Sequence, residues 1–426
     1  MQLFRKLKVK FKNVFKKLGP GIITGASDDD PSGIATYSQA GAAFGYSLLW
    51  LSIFTLPLVI FVQEMCGRIG IVTGKGLAAL VKTHYPKVVL YFIVFLLFFA
   101  NSLNIGANLG AMASSIQLFV PLPFWFLLIL IAVIIVFLEI KIPYTQYKNI
   151  LKYLTLSLFA YAITFFLTNP DMSQILKSMF IPNFIFTKQF FLTIVAILGT
   201  TISPYLFFWQ TGEEVEELVE EGKIKKMGAN VLRISKKEVF GMRIDTVIGM
   251  FYSNAMMYFI MATSASTLHN ANIFSVETAT EAARALRPLG GELSFILFVL
   301  GILGTGLLSI PILAGSASYA ISETFGFKEG LYNSFTKAKA FYLVISIATL
   351  LGIFVNLLNI KPFLLLFYSA VINGIASPFL LVFIMLIINN KKIMKDYTNN
   401  IFSNIGGIVA IVLMFASILA LIFFSL

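Results

Sequence analysis

Long apolar runs dominate the chain, and the polar stretches between them are short. Runs at about 18–46, 47–73, 88–118, 122–140, 144–168, 189–212, 240–267, 291–322, 338–358, 362–389 and 402–425 each approach or exceed the ~20 residues that carry an α-helix across a bilayer. The pattern predicts an all-α membrane protein with about 11 transmembrane helices. Two runs are interrupted. In the first, Gly25-Ala26-Ser27-Asp28-Asp29-Asp30-Pro31-Ser32-Gly33 places three carboxylates at membrane depth, where charge is costly and marks function. Pro31 has no N–H to donate and biases Asp30 away from helix, and Gly33 lowers the cost of unwinding. In the sixth, the interruption is Gly199-Thr200-Thr201-Ile202-Ser203-Pro204-Tyr205. Helices one and six enter from opposite sides. Broken helices at corresponding positions of two halves predict a 5+5 inverted repeat, 18–168 and 189–389, with discontinuous helices 1 and 6 meeting at mid-membrane. A basic amphipathic segment, 1–17, precedes the repeats, and an additional C-terminal span, 402–425, follows them. Freed carbonyls and carboxylates at such a meeting point suit a cation.

Composition agrees with this outline and removes other classes. The chain is 58% hydrophobic and only 12% charged over 426 residues, too little polar surface for a soluble protein of this length. Its formal net charge is +12, but the charge is sorted by side rather than gathered into a nucleic-acid surface. Of the 32 Lys and Arg, 27 fall on one side of the predicted topology; the other side has Lys177, Lys188, Arg284, Arg287 and Lys361. The positive-inside rule then puts the N-terminus in the cytoplasm and, with 11 spans, the C-terminus outside, as expected of a multi-pass plasma-membrane protein. The 1–17 segment carries seven of those basic residues and reads as an inner-leaflet helix attracted to anionic lipid. A single cysteine, Cys66, excludes an internal disulfide, and two histidines cannot build a soft-metal site. No nucleophile–base pair or phosphate loop appears, so an enzyme is not expected. Nor is a nucleic-acid partner, an obligate protein partner or a resident cofactor.

Other polar positions receive structural readings first. Glu64 and Arg68, four apart, are expected to pair on one helix face. Asn101, Asn104 and Asn108 share a face of the third span. The segment 213–238, with Glu213, Glu214, Glu216 and Glu217, reads as a helical extension with a solvated charged face. Asp245 lies near Arg243 at the inner end of the seventh span.

The chain resembles the Nramp family of divalent metal transporters, which has the LeuT-type fold. The resemblance is carried by Gly19-Pro20-Gly21 and Asp30-Pro31-Ser32-Gly33 in the first span and by Gln63-Glu64-Met65 through Arg68-Ile69-Gly70-Ile71-Val72-Thr73-Gly74-Lys75-Gly76-Leu77. Pro311 through Gly315-Ser316-Ala317-Ser318 and Ser369 through Pro378-Phe379 extend it. It implies alternating access, with a divalent cation as transported substrate and hinges near Gly19, Gly21 and Gly25 and at Pro31 and Pro204. It implies Asp30 as the direct carboxylate ligand, with the Thr200 carbonyl and Ser203 from the sixth span. Asp28 and Asp29 cannot both face the same point as Asp30; one would line the approach or hold a water, and one would pair with a polar group on another helix. Asn373 in the tenth span is a weaker candidate beside a simple interhelical hydrogen bond.

The departures from the family pattern are chemical. The family's helix-1 Asn falls at Gly33, its soft Met at Ser203 and the following His at Tyr205. Its helix-3 acids, implicated in proton movement, fall at Asn101 and Asn104, which cannot titrate. Hydroxyl, carbonyl, carboxylate and water favour Mg²⁺, and smaller side chains leave room for an ion that keeps its waters. The pattern therefore resembles the Nramp-related magnesium transporter branch, carrying Mg²⁺ and also Mn²⁺ without protons. The membrane potential alone supplies about 4.6 kcal/mol per 100 mV for a divalent ion. The alternatives are a proton-coupled Mn²⁺/Fe²⁺ transporter of the ordinary Nramp type and an amino-acid or small-organic-solute carrier on the same fold, whose anionic substrate three aspartates would repel.

Overall fold

The computed structural model describes residues 20–141, 155–229, 231, 234–291 and 293–425. The expected 1–17 segment, Gly19 and the first part of the fifth span lie outside them. The first span is two helices, α1 (Pro20–Asp28) and α2 (Pro31–Phe44). They are followed by α3 (Trp50–Thr73), α4 (Leu77–His84), α5 (Lys87–Ile116), α6 (Phe124–Lys141), α7 (Phe159–Leu167) and α8 (Met172–Phe180). The sixth span is again two helices, α9 (Lys188–Thr201) and α10 (Pro204–Glu220). Then come α11 (Lys236–Ser264), α12 (Ala279–Arg284), α13 (Leu293–Phe325), α14 (Lys339–Val355), α15 (Pro362–Ile388) and α16 (Ile401–Phe423). Among the described residues no strand occurs, and eight helices, with α9–α10 counted as one, are long and apolar enough to cross a membrane.

Burial sorts the helices into layers. The α9–α10 span is 94% buried in its most apolar window, whereas α6 and α16 are each 28% buried and expose rows of Leu, Ile and Phe. The broken helices therefore form the centre. Around them α1 and α2 pack on α11, α9 on α15, and α10 on α3, with α5 packed on α13, α14 and α15. Two contacts set how close the central pieces come. A Cβ at Gly25 would stand 2.2 Å from the Gly249 carbonyl oxygen, and one at Gly249 would stand 2.1 Å from that of Gly21. At Gly199 a Cβ would lie 2.1 Å from the Ala370 carbonyl oxygen, so α9 and α15 likewise meet backbone to backbone.

The breaks have a shared local cause. Each second half begins with proline at its first position, Pro31 or Pro204, where the missing N–H costs nothing. The residue before each proline is extended: Asp30 at φ −69°, ψ 173° and Ser203 at φ −85°, ψ 140°.

One expectation is corrected. The stretch after residue 212 does not leave the bundle as a solvated helix. Helix α10 continues to Glu220, and Glu213, Glu214 and Glu216 are buried. Glu216 accepts hydrogen bonds from the Tyr319 hydroxyl and from the backbone N–H groups of Leu331 and Tyr332, so its carboxyl is used to hold the loop after α13. Glu214 accepts from Gln210 Nε2 at 2.8 Å.

Candidate cation site

The turn between α1 and α2 sends its three carboxylates in different directions. Asp30 caps α2. Its Oδ1 accepts from the Ser32 hydroxyl at 2.5 Å and the Gly33 N–H at 2.9 Å. Its Oδ2 faces α5 and accepts from Asn104 Nδ2 at 3.2 Å and Asn108 Nδ2 at 3.1 Å. Those amides are themselves held: Asn104 Oδ1 accepts from Ser369 on α15, and Asn108 Nδ2 also reaches Ser309 on α13. Asp28 turns toward α11, where its Oδ2 accepts from the Ser253 hydroxyl at 2.5 Å. Asp28 Oδ1 and both oxygens of Asp29 have no hydrogen-bond partner. All three side chains are fully buried, at 0% exposure. Among the described residues no three His, Cys, Asp or Glu side chains converge on one point as a metal-binding group. Any cation here must therefore take carbonyl, hydroxyl or amide oxygens beside the carboxylates.

The sixth-span break supplies such oxygens. Ser203 turns its hydroxyl back onto the end of α9, donating toward the carbonyls of Gly199 at 2.6 Å and Thr200 at 2.7 Å. A carbonyl oxygen has two lone pairs, so Thr200 retains acceptor capacity. The Ile202 carbonyl accepts from Ser377 on α15. Asn373, one turn earlier on α15, is buried with both polar side-chain atoms unpartnered. Two ties join the breaks directly. The Tyr205 hydroxyl donates to the Ser27 carbonyl at 3.0 Å, and the Tyr37 and Thr201 hydroxyls pair at 3.3 Å. The two interruptions therefore face each other within one buried centre.

Several sequence readings change in this setting. The room expected at Gly33 is taken up in this conformation: an added Cβ would lie 3.3 Å from the Asp28 carbonyl oxygen, from Thr200 Oγ1 and from the Tyr37 ring. Asn101 and Asn104 separate in role. Asn104 holds Asp30, while Asn101 donates to the Leu313 carbonyl and Ser316 on α13. Asn108 and Ser253 join the site although the sequence pattern does not mark them as site residues. The four-residue step from Asn104 to Asn108 marks one helix face and could have flagged the former; a lone serine in a long helix gave no such signal. Glu64 pairs with Arg68 at 3.0 Å and also with Arg243 at 2.6 Å, a structural cluster outside the breaks. Asp245 accepts from the Gly21 N–H at 2.6 Å and so fixes the start of α1.

A polytopic bundle centred on two interrupted helices, with buried carboxylates at the interruption, is the architecture of a membrane transporter. The chain belongs to the Nramp family: residues 21–424 match the family model described as natural resistance-associated macrophage protein-like. It is 24% identical over 409 residues to a protein of Deinococcus radiodurans named divalent metal cation transporter MntH, covering 94% of this chain and 88% of that one. It is 27% identical over 421 residues to a protein of the same name from Caldanaerobacter subterraneus subsp. tengcongensis, covering 95% and 91%. Among solved structures, the fold is similar to a manganese transporter of Eremococcus coleocola crystallised with an aromatic bis-isothiourea compound. The TM-score is 0.76 at 16% identity, covering 97% of this chain and 87% of that one. Mhp1, a nucleobase-cation-symport-1 family transporter in a closed conformation, is similar with a TM-score of 0.56 at 11% identity, covering 95% and 92%. Discontinuous helices 1 and 6 thus belong to a LeuT-type fold.

Proposed function

We propose that this chain carries divalent metal cations across the plasma membrane by alternating access, with Mg²⁺ and Mn²⁺ as substrates and without proton coupling. The observation that supports it most is the meeting of the two breaks, tied through Tyr205–Ser27 and Tyr37–Thr201, around a buried Asp30. In this reading residues 18–168 and 189–389 are the two repeats, and the N-terminus is cytoplasmic. Asp30 receives the cation, joined by the Thr200 carbonyl, Ser203 and Asn373; Pro31 and Pro204 keep the carbonyls out of helical hydrogen bonding. The names of the MntH relatives point to the same substrate class.

The Mg²⁺ reading rests on ligand hardness, because the polar groups at both breaks are oxygens and amides, which suit a hard ion. The uncoupled reading rests on Asn104 and Asn108. Both groups that reach Asp30 from α5 are amides and carry no proton across. One observation favours a softer ion: the Met257 sulfur on α11 lies 3.7 Å from Thr201 Oγ1, so a thioether stands near the sixth-span break. Manganese is the cation that would use it.

Proteoliposomes loaded with a metal-sensitive or a pH-sensitive dye test both parts. Mn²⁺ and Mg²⁺ uptake driven by an inside-negative potential is expected, with no metal-linked acidification, and Asp30→Ala should lower it at least tenfold. Uptake unchanged in Asp30→Ala would overturn the site, and acidification above the ionophore control would overturn the uncoupled mechanism.

A further inference from the structure

Resting on that reading, we infer that Asp28 and Asp29, with Ser253 on α11, form a second cation station, separate from Asp30, to which the ion passes before release. The argument is one of hydrogen-bond supply. Asp30 meets four donors, two on each oxygen, from α2 and α5. A carboxylate that satisfied is held in place, and its charge is spread over fixed dipoles. Across the same turn, Asp29 has no donor on either oxygen and Asp28 has one, from Ser253. Ser253 neighbours both carboxylates. Leaving three buried carboxylate oxygens without a partner is expensive. Ser253, the one donor beside both carboxylates, has a single proton to give, and a divalent cation is the ligand class that compensates the rest.

The two stations face different helices. Asp30 looks to α5, whose Asn108 in turn reaches Ser309 on α13, and Asp28 looks to α11. Asp28 also ends α1, the half-helix that leads toward the cytoplasmic side of the proposed orientation. Along that side, Glu214, Glu217 and Asp245 line a cavity of about 220 Å³, whose one basic group, Lys223, is paired with Glu221 and Glu238. A cation leaving the Asp28–Asp29 station thus has further carboxylates ahead of it. Ser253 and Met257 are four apart on α11, so one helix face offers a hydroxyl and a thioether toward the same centre.

A station of this kind separates binding from turnover. Equilibrium binding of Mn²⁺ to purified protein and Mn²⁺ uptake into proteoliposomes are measured for wild type, Asp30→Asn, Asp29→Asn and Ser253→Ala, each checked as monodisperse in detergent. Asp30→Asn should lose uptake and bind Mn²⁺ at least tenfold more weakly, with only the second station left. Asp29→Asn should bind Mn²⁺ within about threefold of wild type while its uptake rate falls tenfold or more, and Ser253→Ala should show the same split more weakly. Wild-type uptake in Asp29→Asn overturns the second station. So does a parallel loss of binding and uptake in both Asp29→Asn and Ser253→Ala, which would mean one undivided site. Absence of Mn²⁺ and Mg²⁺ binding in wild type would instead overturn the transporter reading itself.

Discussion

At the scale of single residues, hydrogen-bond direction decides what each polar group can do. Ser203 and Asp30 both precede a helix-starting proline, yet they act oppositely. Asp30 caps forward onto Gly33, and Ser203 folds back onto Gly199 and Thr200. Ser203 thereby holds the carbonyl that the cation is proposed to use. Replacing it with a thioether removes that hold and adds a soft donor. Ser203→Met should raise the preference for Mn²⁺ over Mg²⁺ about tenfold, chiefly by weakening Mg²⁺. Competition of Mg²⁺ against Mn²⁺ uptake measures it, and an unchanged inhibition curve would remove Ser203 from the ion's surroundings.

At the scale of elements, both breaks were legible because proline, glycine and polar residues interrupt otherwise apolar runs, and most of the described helix edges, the end of α10 apart, fall within a few residues of the pattern. The start of α11 was less legible, because Lys236, Lys237 and Glu238 look like loop, although Ser235 and Glu238 form a capping box that begins the helix there. The buried end of α10 was not legible at all. A run of glutamates reads as solvated until its partners are known, and those lie more than 100 positions away at Tyr319, Leu331 and Tyr332. The same loop contains Glu329. Burial, together with the nearby Glu323 and Glu216, pushes its carboxyl above the ordinary range. The folded form therefore keeps a proton that the unfolded chain has released. Stability from this group is full at low pH and declines as pH rises from the ordinary carboxylate range toward the raised value. Glu329→Gln should flatten that decline. Thermal midpoints of the detergent-solubilised protein across pH 5 to 9, values on the order of the carboxylate-to-raised range, provide the check. A wild-type slope retained in the variant would count against it.

At the scale of the whole molecule, the site is covered on all sides. Asp28, Asp29 and Asp30 show 0% exposure, and Ser203 shows 1%. In the proposed mechanism, passage in either direction therefore needs movement of whole half-helices. On the N-terminal side the cover is α1 lying against α11, main chain on main chain at Gly21, Gly25 and Gly249, pinned at its start by Asp245. At those three glycines the seam has no side chains to repack when it parts, so parting it breaks chiefly the Asp245–Gly21 and Ser253–Asp28 hydrogen bonds. It also tolerates no wedge. One methyl group at residue 25 would have to push the half-helix outward, leaving the protein ajar on one face and unable to keep the ion from leaking back. Because Cys66, the sole native cysteine, is buried, a Ser27→Cys reporter would expose this directly. Membrane-impermeant thiol reagents should reach it from that face several-fold faster once Gly25→Ala is added, and equal labelling would mean the seam closes around the methyl after all.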